Sequence, residues 1–240
     1  MRLFAPLLGL VVGLGSAPVS AEQPRAVLEL FTSQGCSSCP KADRLAGELA
    51  REKGILVLTF PVDYWDYLGW KDTFGSAANS ARQRAYAMQR GDRKVFTPQM
   101  VINGRVSAIG SDRAAIINAI ETTSRDRELL SVPVSITEAD GKIEVSLAEH
   151  ALCESEVWLI AVAGERTVEI EGGENKDHTV RYTNVVRRMT RLGAWTGKPA
   201  HFTVAREEAM PPDADRYLVL VQKGSGSMPG TILGVHAAAY

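Results

Sequence analysis

Cys36-Ser37-Ser38-Cys39 stands where an apolar run ends and a helical pattern begins, and this junction constrains the chain more than any other feature. Ala26-Val27-Leu28-Glu29-Leu30-Phe31 has the length and content of a buried strand, and Thr32-Ser33-Gln34-Gly35 breaks it. Pro40 follows Cys39 at once, in a first-turn position where a missing N–H costs little, and Leu45, Leu49 and Ala50 then recur at helical spacing, which predicts a helix over 42–53. A cysteine at such a junction faces unpaired N–H groups and the positive end of the helix dipole. That favours thiolate over thiol and makes Cys36 the expected nucleophile, with Cys39 one turn in as the resolving thiol. A zinc site needs four ligands, and the chain has neither a second C-x-x-C nor a histidine near the first, since His150, His178, His201 and His236 all lie far downstream. No metal is therefore expected. Cys153 reads as a buried or half-buried free thiol.

The redox reading depends on the compartment. Met1-Arg2 opens an almost unbroken apolar run to Gly15, and the small residues Val19-Ser20-Ala21 precede Glu22, so residues 1–21 read as a signal peptide cleaved after Ala21, with an uncleaved anchor as the alternative. The expected setting is periplasmic or secreted, where disulfides persist. With 27 Lys+Arg against 28 Asp+Glu, the surface lacks the basic excess of a non-specific nucleic-acid binder. At 45% hydrophobic and 23% charged, the chain has the composition of a globular protein.

Downstream, residues 55–60 form a second buried strand, whose crossover from the first makes a parallel pair. An aromatic loop follows, Asp63-Tyr64-Trp65-Asp66-Tyr67-Leu68-Gly69-Trp70, and then a helix over about 76–90. Phe96-Thr97-Pro98-Gln99 leads into Met100-Val101-Ile102-Asn103-Gly104-Arg105-Val106, where Asn-Gly between β-like runs signals a hairpin. A last helix over about 112–127 has Asp112 as its cap.

This order of elements, from about residue 25 to 128, resembles the thioredoxin fold. The resemblance implies that Pro98 is cis, preceded by Thr97, and faces the dithiol. It also offers Glu29 as a buried proton-relay acid, though Glu29 stands seven positions before Cys36 where six is usual; an ion-paired structural acid is the alternative. The chain departs from that family in having no Trp before Cys36 and in carrying Ser37-Ser38 between the cysteines. A second resemblance, to the secreted bacterial proteins grouped as domain of unknown function 1223, rests on four stretches. These are residues 29–40 (ELFTSQGCSSCP), 62–70 (VDYWDYLGW), 97–104 (TPQMVING) and 182–186 (YTNVV). It implies a thioredoxin-like fold and an extracytoplasmic setting, but no substrate.

After Ser131 the texture changes to short strands over 132–137, 142–147, 157–163, 167–170, 180–191, 201–205, 217–221 and 232–235, separated by turns such as Asp140-Gly141. The expected architecture is therefore an α/β thioredoxin-like domain over 22–130, followed by an all-β antiparallel sandwich over 131–240. The expected function is an extracytoplasmic thiol–disulfide oxidoreductase that needs no organic cofactor. Expected partners are cysteine-containing exported proteins or small thiols, with a membrane redox partner and no nucleic acid. The rival is a non-catalytic binding module with a structural disulfide on a thioredoxin-like scaffold. Tyr64, Trp65 and Trp70 read either as walls of a substrate groove or as packing at an inter-domain seam.

Overall fold

The structure, a computed structural model, describes residues 23–151, 154–225 and 228–237. The expected signal peptide and Cys153 lie outside the described residues. The first half runs β1 (Ala26–Thr32), α1 (Pro40–Leu49), β2 (Ile55–Pro61), α2 (Ala77–Arg90), β3 (Gln99–Ile102), β4 (Val106–Ile109) and α3 (Arg113–Thr123). β1 pairs parallel with β2 and antiparallel with β3, and β3 pairs antiparallel with β4 through the Asn103-Gly104 turn. Two helices start on side-chain caps. The Ser76 hydroxyl accepts from Ala78 N–H at the start of α2, and Asp112 caps α3 by accepting from Ala115 N–H.

β1 is buried on both faces, so its alternation sorts residues between two layers rather than between core and water. Leu28 and Leu30 pack with Leu45 and Leu49 of α1 and Ile116 and Ile120 of α3. Val27 and Phe31 point the other way, to Tyr86 of α2 and to Leu58 and Phe60 of β2.

The second half continues with β5 (Val134–Ala139), β6 (Lys142–Leu147), β7 (Ser155–Glu169), β8 (Thr179–Trp195), β9 (Ala200–Ala205), the short α4 (Arg206–Ala209), β10 (Arg216–Ser225) and β11 (Met228–Ala237). Among the described residues, β5, β6 and β9 form a three-stranded antiparallel sheet, and the other strands form one eight-stranded mixed sheet in the order β11-β10-β7-β8-β2-β1-β3-β4. The texture change near residue 130 is thus not an edge of the main sheet. The junction is β8 beside β2, parallel, with Val185 opposite Thr59. Thr59 Oγ1 donates to Thr183 O at 2.6 Å, and Asn184 Nδ2 donates to Val57 O at 3.0 Å. The reason lies in β2: an apolar strand buried on both faces leaves an unpaired backbone edge, and β8 covers it. One apolar cluster accordingly runs from Phe31 and Phe60 through Ile160, Val162, Leu218 and Leu220 without a break. The three-stranded sheet places Ile143, Val145 and Leu147 against Val157, Leu159, Val219 and Val221 of the large one, so the β-rich half is two-layered but shares one layer with the first half.

Candidate functional site

The loop between β1 and α1 carries Cys36 and Cys39, joined as a disulfide with Cα atoms 5.4 Å apart. Cys36 retains 3% exposure and Cys39 none. Their position differs from the expectation in one respect. α1 begins at Pro40, and Cys39 is its N-cap rather than a residue one turn in. Pro40 brings no N–H, so the first helical bonds run from Ala42 and Asp43 N–H to Cys39 O, while Cys39 N–H closes a turn onto Cys36 O. The helix terminus therefore adjoins Cys39, and Cys36 is distinguished by its residual exposure.

The Thr97-Pro98 bond is cis. Gly110 N–H donates to Pro98 O at 2.9 Å, and a Cβ built on Gly110 would meet Leu30, Pro98 and Ala42 at 2.9–3.2 Å. Pro98 is thereby set against the first turn of α1. Ser38 Oγ bridges the two segments, lying 3.4 Å from Cys36 Sγ and 3.5 Å from Thr97 O. Gln83 of α2 steadies the cis-proline loop from beneath, donating to Phe96 O at 2.7 Å and to Gln99 Oε1 at 2.8 Å.

Of the three aromatics, Trp65 stands nearest the disulfide loop. Its backbone and Cβ lie against Gly35, its Nε1 donates to Thr97 Oγ1 at 2.7 Å, and its ring stacks on the exposed Tyr67 at 6.2 Å. Tyr64 contacts Trp65 and donates its hydroxyl to Gln83, one layer away. Trp70 turns towards the second half, donating from Nε1 to Gln34 Oε1 and lying on Gly172 and Gly173. Trp65 thus lies between Gly35 of the cysteine loop and Thr97, and Trp70 packs between that loop and the second half.

Glu29 does not meet the cysteines. It sits on the face of β1 turned to α2, opposite the face that holds α1. Both its oxygens accept from Arg82 at 2.8 Å, and Oε1 also accepts from Tyr86 Oη at 2.7 Å. The off-by-one position in the sequence is the cause, because one step along a strand reverses the face. Glu29 is therefore an ion-paired structural acid.

Three residues that the sequence reading passed over complete the site. Asn175, buried in a short 3₁₀ turn of the second half, donates from Nδ2 to Gln34 O at 2.9 Å and to Cys36 O at 2.8 Å, clamping the cysteine loop. Asp72 accepts from Gln34 N–H and Phe74 N–H, both at 2.8 Å, and burial raises its pKa. Asp43, 2% exposed on α1, has no hydrogen-bond partner for either carboxylate oxygen among the described residues. Burial pushes it from 3.8 up to about 8; the nearby Thr32 hydroxyl opposes the rise without reaching hydrogen-bond geometry, and Asp72 adds to it. Asp43 follows Cys39 by four, a helical spacing that places both on one face, and that spacing was its only sequence signal.

The Asp43 shift has a definite sign. A carboxyl that holds its proton when folded and loses it when unfolded makes stability fall as pH rises from about 4 to about 8, with a limiting slope of about 1.4 kcal/mol per pH unit. Asp43→Asn should flatten that part of the profile. Urea denaturation of both proteins across this range checks it, and parallel profiles would count against a neutral buried acid.

Among the described residues no group of three or more His, Cys, Asp or Glu side chains is arranged to hold a metal. Protein AGR_C_4864 from Agrobacterium tumefaciens, known from an X-ray crystal structure, is 31% identical in sequence, with a TM-score of 0.79 over 90% of this chain and 94% of that one. HBP35 of Porphyromonas gingivalis is similar in fold alone, with a TM-score of 0.57 at 12% identity over 91% of this chain and 76% of that one. A probable thioredoxin of Archaeoglobus fulgidus is 40% identical over 37 residues, which span 15% of this chain and 41% of that relative. A family model matches residues 27–222, through both halves and the whole of the site, and the chain belongs to the family described as Protein of unknown function (DUF1223).

Proposed function

We propose that the protein is an extracytoplasmic thiol–disulfide oxidoreductase whose working pair is Cys36 and Cys39, with Thr97-Pro98 as the segment along which a substrate strand aligns. The observation that carries this reading is the disulfide loop set against the cis-Pro98 segment, with Ser38 Oγ between Cys36 Sγ and Thr97 O. The strand order β2-β1-β3-β4, with α1 and α3 on one face and α2 on the other, supports a thioredoxin-like arrangement for the first half. The short match to a probable thioredoxin points the same way. In this reading the Cys36 thiolate attacks a substrate disulfide, and Cys39 resolves the mixed disulfide; the reverse order oxidises a dithiol. Substrates are cysteine-containing exported proteins or small thiols, and a membrane redox partner resets the pair. The apolar N-terminus supports the periplasmic or secreted setting.

The burial of both sulfurs and the Asn175 clamp favour a second reading, a binding module in which the disulfide is purely structural. Limited alkylation separates the two. Iodoacetamide applied to the reduced protein should label Cys36 ahead of Cys39 and Cys153, and Cys39→Ser should trap mixed disulfides from a periplasmic extract. Labelling led by another cysteine, or an empty trap, would favour the binding module.

A further inference from the structure

We propose that the cavity between α2 and the large sheet binds a small amphipathic organic acid: the acid group meets Arg84, the apolar body lies along Ala81 and Ala85, and a second, neutral oxygen meets Arg82. None of the residues lining this cavity belongs to the disulfide site, so the proposal stands apart from the thiol–disulfide reading.

The cavity arises from a mismatch in side-chain length. Ala81, Ala85 and Met88 recur at helical spacing along one face of α2, and Trp158 of β7 and Met189 of β8, both half-buried, line the sheet side. The alanines are too short to fill the space between the layers, and about 580 Å³ remains open. A packed interior has few voids larger than a water molecule, whereas ligand pockets hold about 300–1,000 Å³ and are mostly apolar with a few polar groups.

The charges around the cavity select the ligand. Among the described residues that line it, four are ionised, and three of them have partners. Arg82 pairs with Glu29 at 2.8 Å, Glu156 with Arg191 at 2.7 Å and Lys223 with Glu128 at 2.9 Å. Arg84 is exposed and has no hydrogen bond or ion pair among the described residues. An unpaired guanidinium beside an apolar wall favours a ligand with one negative group. Arg82 adds a second preference. Its side chain is 9% exposed and spends Nε and Nη2 on Glu29, Tyr86 and Gln222, while Nη1 makes no hydrogen bond among the described residues. Because Glu29 already meets its charge, what Arg82 has left is a donor for a neutral oxygen rather than a second anion site. Two residues apart on a helix, Arg82 and Arg84 stand on opposite flanks of the alanine face. A ligand lying on that face therefore has the free cation on one side and the spare donor on the other.

The probe is ω-hydroxydecanoate, an unbranched chain with a carboxylate at one end and a hydroxyl at the other. It is titrated calorimetrically into the purified full chain at neutral pH, below the concentration at which it aggregates. Saturable binding at one site per chain is expected, and Arg84→Gln should weaken it by about fivefold or more, the loss of a charge-assisted contact. The matching diol, which has no acid, should bind more weakly than the hydroxy acid and equally to wild type and Arg84→Gln. Decanoate, which lacks the hydroxyl, should also bind more weakly than the hydroxy acid. Ala81→Phe puts a ring into the cavity from an exposed helix position and should abolish binding. The proposal is overturned by the absence of saturable binding, by an affinity unchanged in Arg84→Gln or in Ala81→Phe, or by a diol or decanoate that binds as tightly as the hydroxy acid. Should Ala81→Phe fail to fold, Arg84→Gln still decides, because its exposed side chain has no partner to lose.

Discussion

Arg82→Met is expected to lower the stability of the whole chain by about 3–5 kcal/mol, because it leaves the Glu29 carboxylate buried without its countercharge. The Arg82 side chain is 9% exposed and that of Glu29 fully buried. The guanidinium grips both carboxylate oxygens, and its Nη2 also reaches Tyr86 Oη at 3.0 Å and Gln222 Oε1 at 2.9 Å. Tyr86 Oη in turn accepts from Gln222 Nε2 at 2.7 Å and donates to Glu29. Each member satisfies another, so removing one strands several. The network joins β1, α2 and β10, so the loss should appear as one urea transition shifted as a unit. A Glu29→Leu, Arg82→Met double variant removes both charges together and should recover most of the loss, since apolar replacements of a buried pair are often neutral. A single-variant cost below about 1 kcal/mol, or a double variant no better than the single, would show the pair to be less sealed than its geometry implies.

Gly104→Val should cost about 3 kcal/mol or more. Gly104 ends the β3–β4 turn at φ +71°, where an L side chain is strained by about 1–2 kcal/mol. The larger part is contact: a Cβ there would fall 2.1 Å from Gly230 O, a backbone atom of β11 that cannot swing aside. Overpacking of this kind adds about 1–3 kcal/mol. Gly141→Val is the control, since Gly141 has the same φ of +71° but nothing within 4 Å of an added Cβ. Thermal melts should rank Gly104→Val well below Gly141→Val. Equal losses would mean that backbone strain alone matters and that the turn is not pressed against β11.

The elements of the first half could be read from the sequence because their signals are local. Strand runs at residues 55–60, the Asp112 cap and the Asn-Gly turn all act within a few residues. In the second half the strand runs were legible but their lengths were not. The expected strands at 157–163 and 167–170 are one, β7, because Gly164 and its neighbours continue the ladder against β8. The addition of β8 to β2 was hidden for a different reason: pairing between residues 126 positions apart leaves no period in either segment.

At the site, the legible part was the part with a motif. Cys36, Cys39 and the Thr97-Pro98 segment do come together. Of the two readings of Glu29 the ion-paired one holds, because the alternation that makes β1 a strand also decides which face its acid serves. Asn175 gave no signal, since one asparagine in a Gly-rich turn looks like any solvated loop residue. Asp43 was masked by its helix, where an acid beside an apolar stripe normally reads as the rim of an exposed face.

Asn175 is separated from Cys36 by 139 residues, and this sets an order of events for a chain that emerges from its N-terminus. Cys36 and Cys39 are three apart, so their loop closes with almost no chain search, long before the 3₁₀ turn bearing Asn175 exists as an exposed segment. The cysteine loop can therefore close before the side chain that holds the carbonyls of Gln34 and Cys36 has been made. A chain stopped short of that turn has the loop without its clamp, so a thiol reagent should open the disulfide faster there than in the full chain, and the rate of opening reports how far the molecule has matured.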